Sequence, residues 1–174
     1  NSLTFSSLLS HTPNLLSISI ENNIDVNLII HSIAISCPHL LSLSFNYIDV
    51  LTFESDESAL EYPLLTSHTS HELVLGCPLI KLLRICHYTI DDEGVQELLN
   101  LPHIESVDFS DNESLHGEFL TQIPSKWPQL RSLIFRDCLE IEDEHVSTFA
   151  SRVAQGGCPL LCYVDCSCQW SFYH

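Results

Sequence analysis

The sequence predicts an α/β solenoid: a single domain of about six strand-turn-helix units, with a curved parallel sheet on the concave face and helices on the convex face. First, the frame Pro-x-apolar-x-x-apolar-x-apolar can be laid along the chain six times. Second, its first apolar positions are 15, 40, 80, 104, 130 and 161, so the steps are 25, 40, 24, 26 and 31 residues. At such a period a strand and a helix bury their apolar faces only against the next copy. Third, each frame ends in a period-2 apolar pair, the mark of a short strand with one buried face.

In chain order, Leu3 to Leu9 read as the end of a helix, so the chain is expected to be a piece of a longer array. The first unit (Pro13, Leu15, Ile18, Ile20) predicts a strand near 15–20 and a helix near 25–36 carrying Leu28, Ile29, Ile33 and Ile35. The second (Pro38, Leu40, Leu43, Phe45) predicts a strand near 40–45, followed by an excess of about 15 residues over the usual period. The polar runs Glu54–Ser58 and Thr66–His71 fall in that excess and read as a loop inserted at about 52–72. Deleting the part around Ser67 to Ser70 is then expected to leave the fold intact. Tyr62-Pro63-Leu64-Leu65 imitates the start of a frame, and the alternative is a degenerate short unit.

In the third unit (Pro78, Ile80, Leu83, Ile85) Asp91 is a helix N-cap, Ile90 and Val95 form a staple, and Val95, Leu98 and Leu99 make the buried stripe. In the fourth (Pro102, Ile104, Val107, Phe109) Asn112 stands where its amide can satisfy backbone groups of adjacent turns. Leu115, Phe119, Leu120 and Ile123 follow as a helix face expected to end at Pro124. The fifth unit is the most regular: Pro128, Leu130, Leu133, Phe135, Cys138 and Ile141, then a stripe of Val146, Phe149, Ala150 and Val153 closed by Gly156-Gly157. The sixth (Pro159, Leu161, Val164, Cys166) runs into Cys168–His174 without a helix, with Cys166 expected to be buried.

The frame resembles the cysteine-containing leucine-rich repeat of F-box proteins, roughly Cys-Pro-x-Leu-x-x-Leu-x-Leu-x-x-Cys-x-x-Ile-Thr-Asp-x-Gly-Val. Cys77-Pro78, Cys158-Pro159, Cys138, Ile90-Asp91-Asp92-Glu93-Gly94-Val95 and Ile141-Glu142-Asp143-Glu144-His145-Val146 carry the match. Tyr88 and Ile48 depart from it where Cys or Asn is expected, and no F-box is visible in these residues. The resemblance implies a leucine-rich-repeat solenoid and a non-enzymatic function. The chain would be the substrate-binding region of a cullin-based (SCF-type) ubiquitin ligase receptor, with adaptor and cullin engaged through an F-box outside it. A ribonuclease-inhibitor-like scaffold binding a basic protein, unconnected to ubiquitin, is the alternative.

Six Lys and Arg against 23 Asp and Glu give a net charge of −17, a balance that repels nucleic acid and anionic lipid and favours encounter with a basic partner. The same acids have a second reading as helix-start residues complementing the macrodipole. The eight cysteines fall largely at repeat positions, which favours a reducing compartment, cytoplasm or nucleus. No apolar run is long enough to span a membrane, and there is no signal-peptide pattern.

Cys158, Cys162, Cys166 and Cys168 invite a zinc reading, but their spacing is not that of paired knuckles and alternation along a strand separates them, so no metal or cofactor is expected. His68, His71 and Glu72 read as surface loop residues. No nucleophile elbow, phosphate-cradling glycine loop or dinucleotide fingerprint is present. Asn112-Glu113-Ser114 matches a glycosylation sequon that competes with the structural use of Asn112.

Function in such an array is expected on the concave strand face. Alternation assigns to it Ser17, Ser19 and Glu21; Ser42, Ser44, Asn46 and Tyr47; Leu82, Arg84, Cys86 and His87. Further along it are Ser106, Asp108, Ser110 and Asp111; Ser132, Ile134, Arg136 and Asp137; Tyr163 and Asp165. Arg84, His87, Asp108, Asp111, Arg136, Asp137 and Tyr163 are the candidate partner-binding residues, because Arg and Tyr dominate binding energy when desolvated. The alternative is a merely solvated strand face.

Overall fold

The structure, a computed structural model, describes residues 2–21, 25–46 and 64–167. The chain runs through α1 (Ser2–Ser10), β1 (Ser17–Glu21), α2 (Val26–Ser36), β2 (Ser42–Asn46), β3 (Leu64–Leu65) and α3 (Ser67–Gly76). It continues through β4 (Leu82–Cys86), β5 (Thr89–Ile90), α4 (Asp92–Leu98), β6 (Ser106–Asp108), a 3-10 turn (Glu118–Thr121) and α5 (Ile123–Lys126). β7 (Ser132–Ile134), α6 (Asp143–Ala154) and β8 (Tyr163–Asp165) complete it.

The result is a mixed α/β fold around a six-stranded parallel sheet, ordered β1-β2-β4-β6-β7-β8. Parallel neighbours require a crossover, which the helical segments supply. The register is kept throughout: Ser17, Ser42, Leu82, Ser106, Ser132 and Tyr163 stand in one row. The row beside it, Ile18, Leu43, Leu83, Val107 and Leu133, is buried. Alternation thus gives the first five strands of the sheet, β1, β2, β4, β6 and β7, one face in the core and one open face, the relation that fixes register in a half-buried sheet. β3 and β5 form a separate parallel pair, Leu64 beside Thr89 and Leu65 beside Ile90.

The helix starts follow from their caps. Asp25 accepts from the amides of Asn27 and Leu28, Thr66 from that of Thr69, and Asp91 from that of Gly94 at 2.8 Å. Asp92 reaches further, accepting from the amides of His116 (2.7 Å) and Gly117 (3.0 Å). At the end of α6, Gly156 takes a φ of 97°, and the Gly157 amide donates to the Arg152 carbonyl at 3.0 Å, the close expected of the glycine pair.

Several expectations are corrected. Thr66–His71 is not loop: Thr66 caps α3, which runs from Ser67 and packs between α2 and α4. Leu64-Leu65 therefore does not start a frame but pairs with Thr89-Ile90, the segment just before the next helix cap. Glu54–Ser58, like Tyr47 and Ile48, lies outside the described residues. Pro124 does not end a helix; it stands in the first turn of α5, where its missing N–H costs nothing. Ala150 is exposed, so Phe149, with Val146 and Val153 half-buried, carries the packing of α6. Val164 (43% exposed) and Cys166 are also exposed, because β8 is the edge of the described sheet and its apolar positions are covered from one side only.

Candidate functional site

Ladder positions between the strands and the helices set the geometry of the open face. Asn112 is fully buried; its amide nitrogen donates to the carbonyls of Ile85 (2.8 Å), Phe109 (2.7 Å) and Ser110 (3.2 Å), and its oxygen accepts from the Ile90 amide. Cys138, one unit on, donates its thiol to the Phe109 carbonyl at 3.2 Å. Tyr88 holds the equivalent place with its ring instead, edge-to-face on Phe45 at 6.2 Å. These contacts pin the residue just before each ladder position in a left-handed conformation: His87 (φ 57°), Asp111 (φ 60°) and Asp137 (φ 52°). With its amide committed and its side chain inaccessible, Asn112 is unavailable as a glycan acceptor in the folded chain.

On the open face the sequence-predicted residues meet in pairs. The Arg84 Nε lies 3.2 Å from Asp108 Oδ2, and His87 lies 3.3 Å from Asp111. Arg136 donates through Nε to Asp165 Oδ2 at 2.7 Å and through a terminal nitrogen to the Tyr163 hydroxyl at 3.2 Å. Asp137 stands in the left-handed row with Asp111 and acts on its carboxyl. The residues do not converge on one pocket; they are strung across consecutive strands.

Both arginine pairs rest on one local device. Asp108 accepts at Oδ1 from the Ser110 amide (3.1 Å) and hydroxyl (2.6 Å), while Asp165 does the same with Ser167 (3.1 and 2.8 Å). In each, one carboxylate oxygen is fixed by its own Asp-x-Ser turn and the other faces an arginine from an earlier strand. Ser110 joins the two by also accepting from the Arg136 amide at 3.3 Å. The binding residues read from the sequence do not include Asp165, Ser110 or Ser167, although the repeated Asp-x-Ser is the signal that could find them.

The electrostatics follow the contacts. The Arg136 guanidinium holds the Asp165 carboxyl far below the usual carboxylate range, with Ser167 and Tyr163 adding to it. Burial pushes the Asp111 carboxyl up, and Asp137 and Asp108 add to that against the opposing pull of His87 and Arg84. Cys86, expected on the open face, is buried beneath Arg84, whose Nε lies 3.3 Å from its sulfur. Burial pushes its thiol up to about 12, so it is not a nucleophile at neutral pH.

The remaining candidates separate. His68 and His71 lie on α3, where Glu72 contacts both His68 and His31, and His71 lies 2.9 Å from Glu97. Cys158 is buried, Cys162 and Cys166 are exposed, and Cys168 lies outside the described residues. Among the described residues no group of three or more His, Cys, Asp or Glu side chains is placed to hold a metal ion, and no helix is long and apolar enough to cross a membrane. What the open face offers is charge and hydrogen bonding: guanidinium, carboxylate and hydroxyl groups at fixed spacing. No protein-family model and no curated protein matches the chain.

Proposed function

We propose that this chain is a leucine-rich-repeat solenoid of about six units acting as a non-enzymatic protein-recognition module, with the open sheet face as its target surface. The observation that carries this reading is the succession of polar groups on consecutive strands, held in register by the buried Asn112 and Cys138 ladder contacts and presented by anchored arginines. Arg84, His87, Asp108, Asp111, Arg136, Asp137 and Tyr163 are its binding residues. By resemblance to F-box leucine-rich-repeat proteins, the module is the substrate-binding region of a cullin-based ubiquitin ligase receptor, cytoplasmic or nuclear, whose F-box lies outside this chain. That assignment rests on analogy, a weaker warrant than the geometry of the face.

The net charge of −17 favours a second reading, an inhibitor-like scaffold that captures a basic protein without ubiquitin chemistry. Affinity capture with the full-length product containing this chain, scored by mass spectrometry, separates the two. Co-recovery of a ligase adaptor and a cullin supports the receptor; reproducible absence of both with a basic protein retained supports the scaffold.

A further inference from the structure

The two arginines of the open face are not equivalent. Arg136 is 48% exposed, but its Nε and a terminal nitrogen are already held by Asp165 and Tyr163. Among the described residues Arg84 is held only through Nε, to Asp108 Oδ2 and the Cys86 sulfur, and its side chain is 52% exposed. Its terminal nitrogens, the fork that suits paired oxygen acceptors, have no hydrogen-bond partner among the described residues. Beside it on the sheet stand Ser17, Ser19, Ser42 and Ser44, in register Ser17 with Ser42 and Ser19 with Ser44 with Arg84. Among the described residues none of these four hydroxyls has a hydrogen-bond partner within the protein, and each is exposed or half-buried. They form a flat shelf that a partner's main chain can approach closely, with groups that both donate and accept, spaced about 4.8 Å apart across the strands.

Charge decides what lies on it. Glu21, Asp108, Asp111, Asp137 and Asp165 outnumber Arg84 and Arg136 on this face, and Glu21 and Asp108 act directly on Arg84. A carboxylate or phosphate brought to Arg84 would meet that field with a full negative charge, whereas a neutral carbonyl feels it far less. We propose that Arg84 and the serine shelf are the specificity-determining part of the face, and that their ligand is an extended protein segment bearing Lys or Arg. Its carbonyl oxygens engage the open end of the Arg84 guanidinium, and its basic side chains meet the surrounding carboxylates. This rests on the protein-recognition reading above and narrows it to one class of partner.

The test uses the full chain and a positional-scanning library of capped peptides about ten residues long, enough to cross the sheet when extended. Pools fixed as Lys/Arg, as Asp/Glu or as Asn/Gln are compared by fluorescence polarisation. Pools fixed as Lys or Arg are expected to bind and Asp or Glu pools to be rejected. R84K, which keeps the charge but loses the fork, should weaken binding about tenfold or more. K126Q, which removes a charge on α5, should leave it within about twofold. Preference for the acidic pools, binding by R84K equal to wild type, or no binding by any pool overturns the proposal. S44W, which fills the shelf, tells the two failures apart: if it leaves binding intact the face itself is not the site, and if it abolishes binding while R84K does not, only the role of Arg84 fails.

Discussion

The side-chain nitrogen of Asn112 donates to the main-chain carbonyl of Ile85 at 2.8 Å, joining two turns separated by 27 residues in the chain. Since the same amide also serves Phe109 and Ser110 and its oxygen serves Ile90, N112A leaves several buried backbone groups without partners. Each orphan costs about 1–3 kcal/mol, so a loss of at least about 3 kcal/mol is expected. Urea unfolding checks it; a loss under about 1 kcal/mol would mean that water replaces the amide and that the ladder does not hold the turns.

Leu133 and Phe135 sit on the core side of β7 and just beyond it, 0% and 3% exposed. L133A or F135A should each lower stability by about 2–5 kcal/mol through lost transfer energy and the cavity left behind. An unchanged unfolding midpoint for either would contradict the strand assignment.

Strands were legible in the sequence because one face of each is buried and alternation then has to be kept; the frame placed all six strands of the main sheet. Asp91 and Gly156 were legible because caps are local chemistry. Helix α3 was not, since Ser67-His68-Thr69-Ser70-His71 has weak intrinsic helix preference and little apolar periodicity. Its support is tertiary: Asn27 of α2 donates to the Leu64 carbonyl at 2.8 Å and accepts from the Thr69 hydroxyl at 2.7 Å, while Thr69, Ser70 and Leu73 are buried. Deleting residues 67–70 should therefore destroy cooperative unfolding rather than leave the fold intact. The face was legible for most residues but not in its pairings: alternation assigned Cys86 to the open face, yet Arg84 on the same strand covers it and leaves it buried, and Arg84 is itself held by Asp108 of β6.

Gly76, at the end of α3, lies so close to α2 that a Cβ there would stand 2.3 Å from the Ala34 carbonyl oxygen. The obstacle is backbone, not a movable side-chain tip. G76A should thus force the two helices apart and cost about 1–3 kcal/mol despite the better helix preference of alanine. It should also deform the groove of about 270 Å³ lined by Ile35 and Leu75. Equal or greater stability in thermal unfolding would show that the helix pair slides freely.

Two carboxylates of the open face predict pH effects of opposite sign. Asp165 is held below its ordinary value by Arg136, so the stability it contributes is present above the unfolded value of about 3.9 and is lost as pH falls through the folded one. D165N should accordingly melt below wild type at pH 7, with the gap closing as the pH is taken well below about 4. Asp111 is raised, first by burial, so its ionised form is a cost: its contribution is present below about 3.9 and lost as pH rises through the folded value. Asparagine also accepts the left-handed backbone at this position, φ 60°. D111N should therefore melt above wild type at pH 7, and the advantage should fade on acidification. Melting temperatures of both variants from pH 7 down to about 2.5 check the pair of signs; a D111N that melts lower than wild type at pH 7 would mean that the His87 contact outweighs the cost of burial.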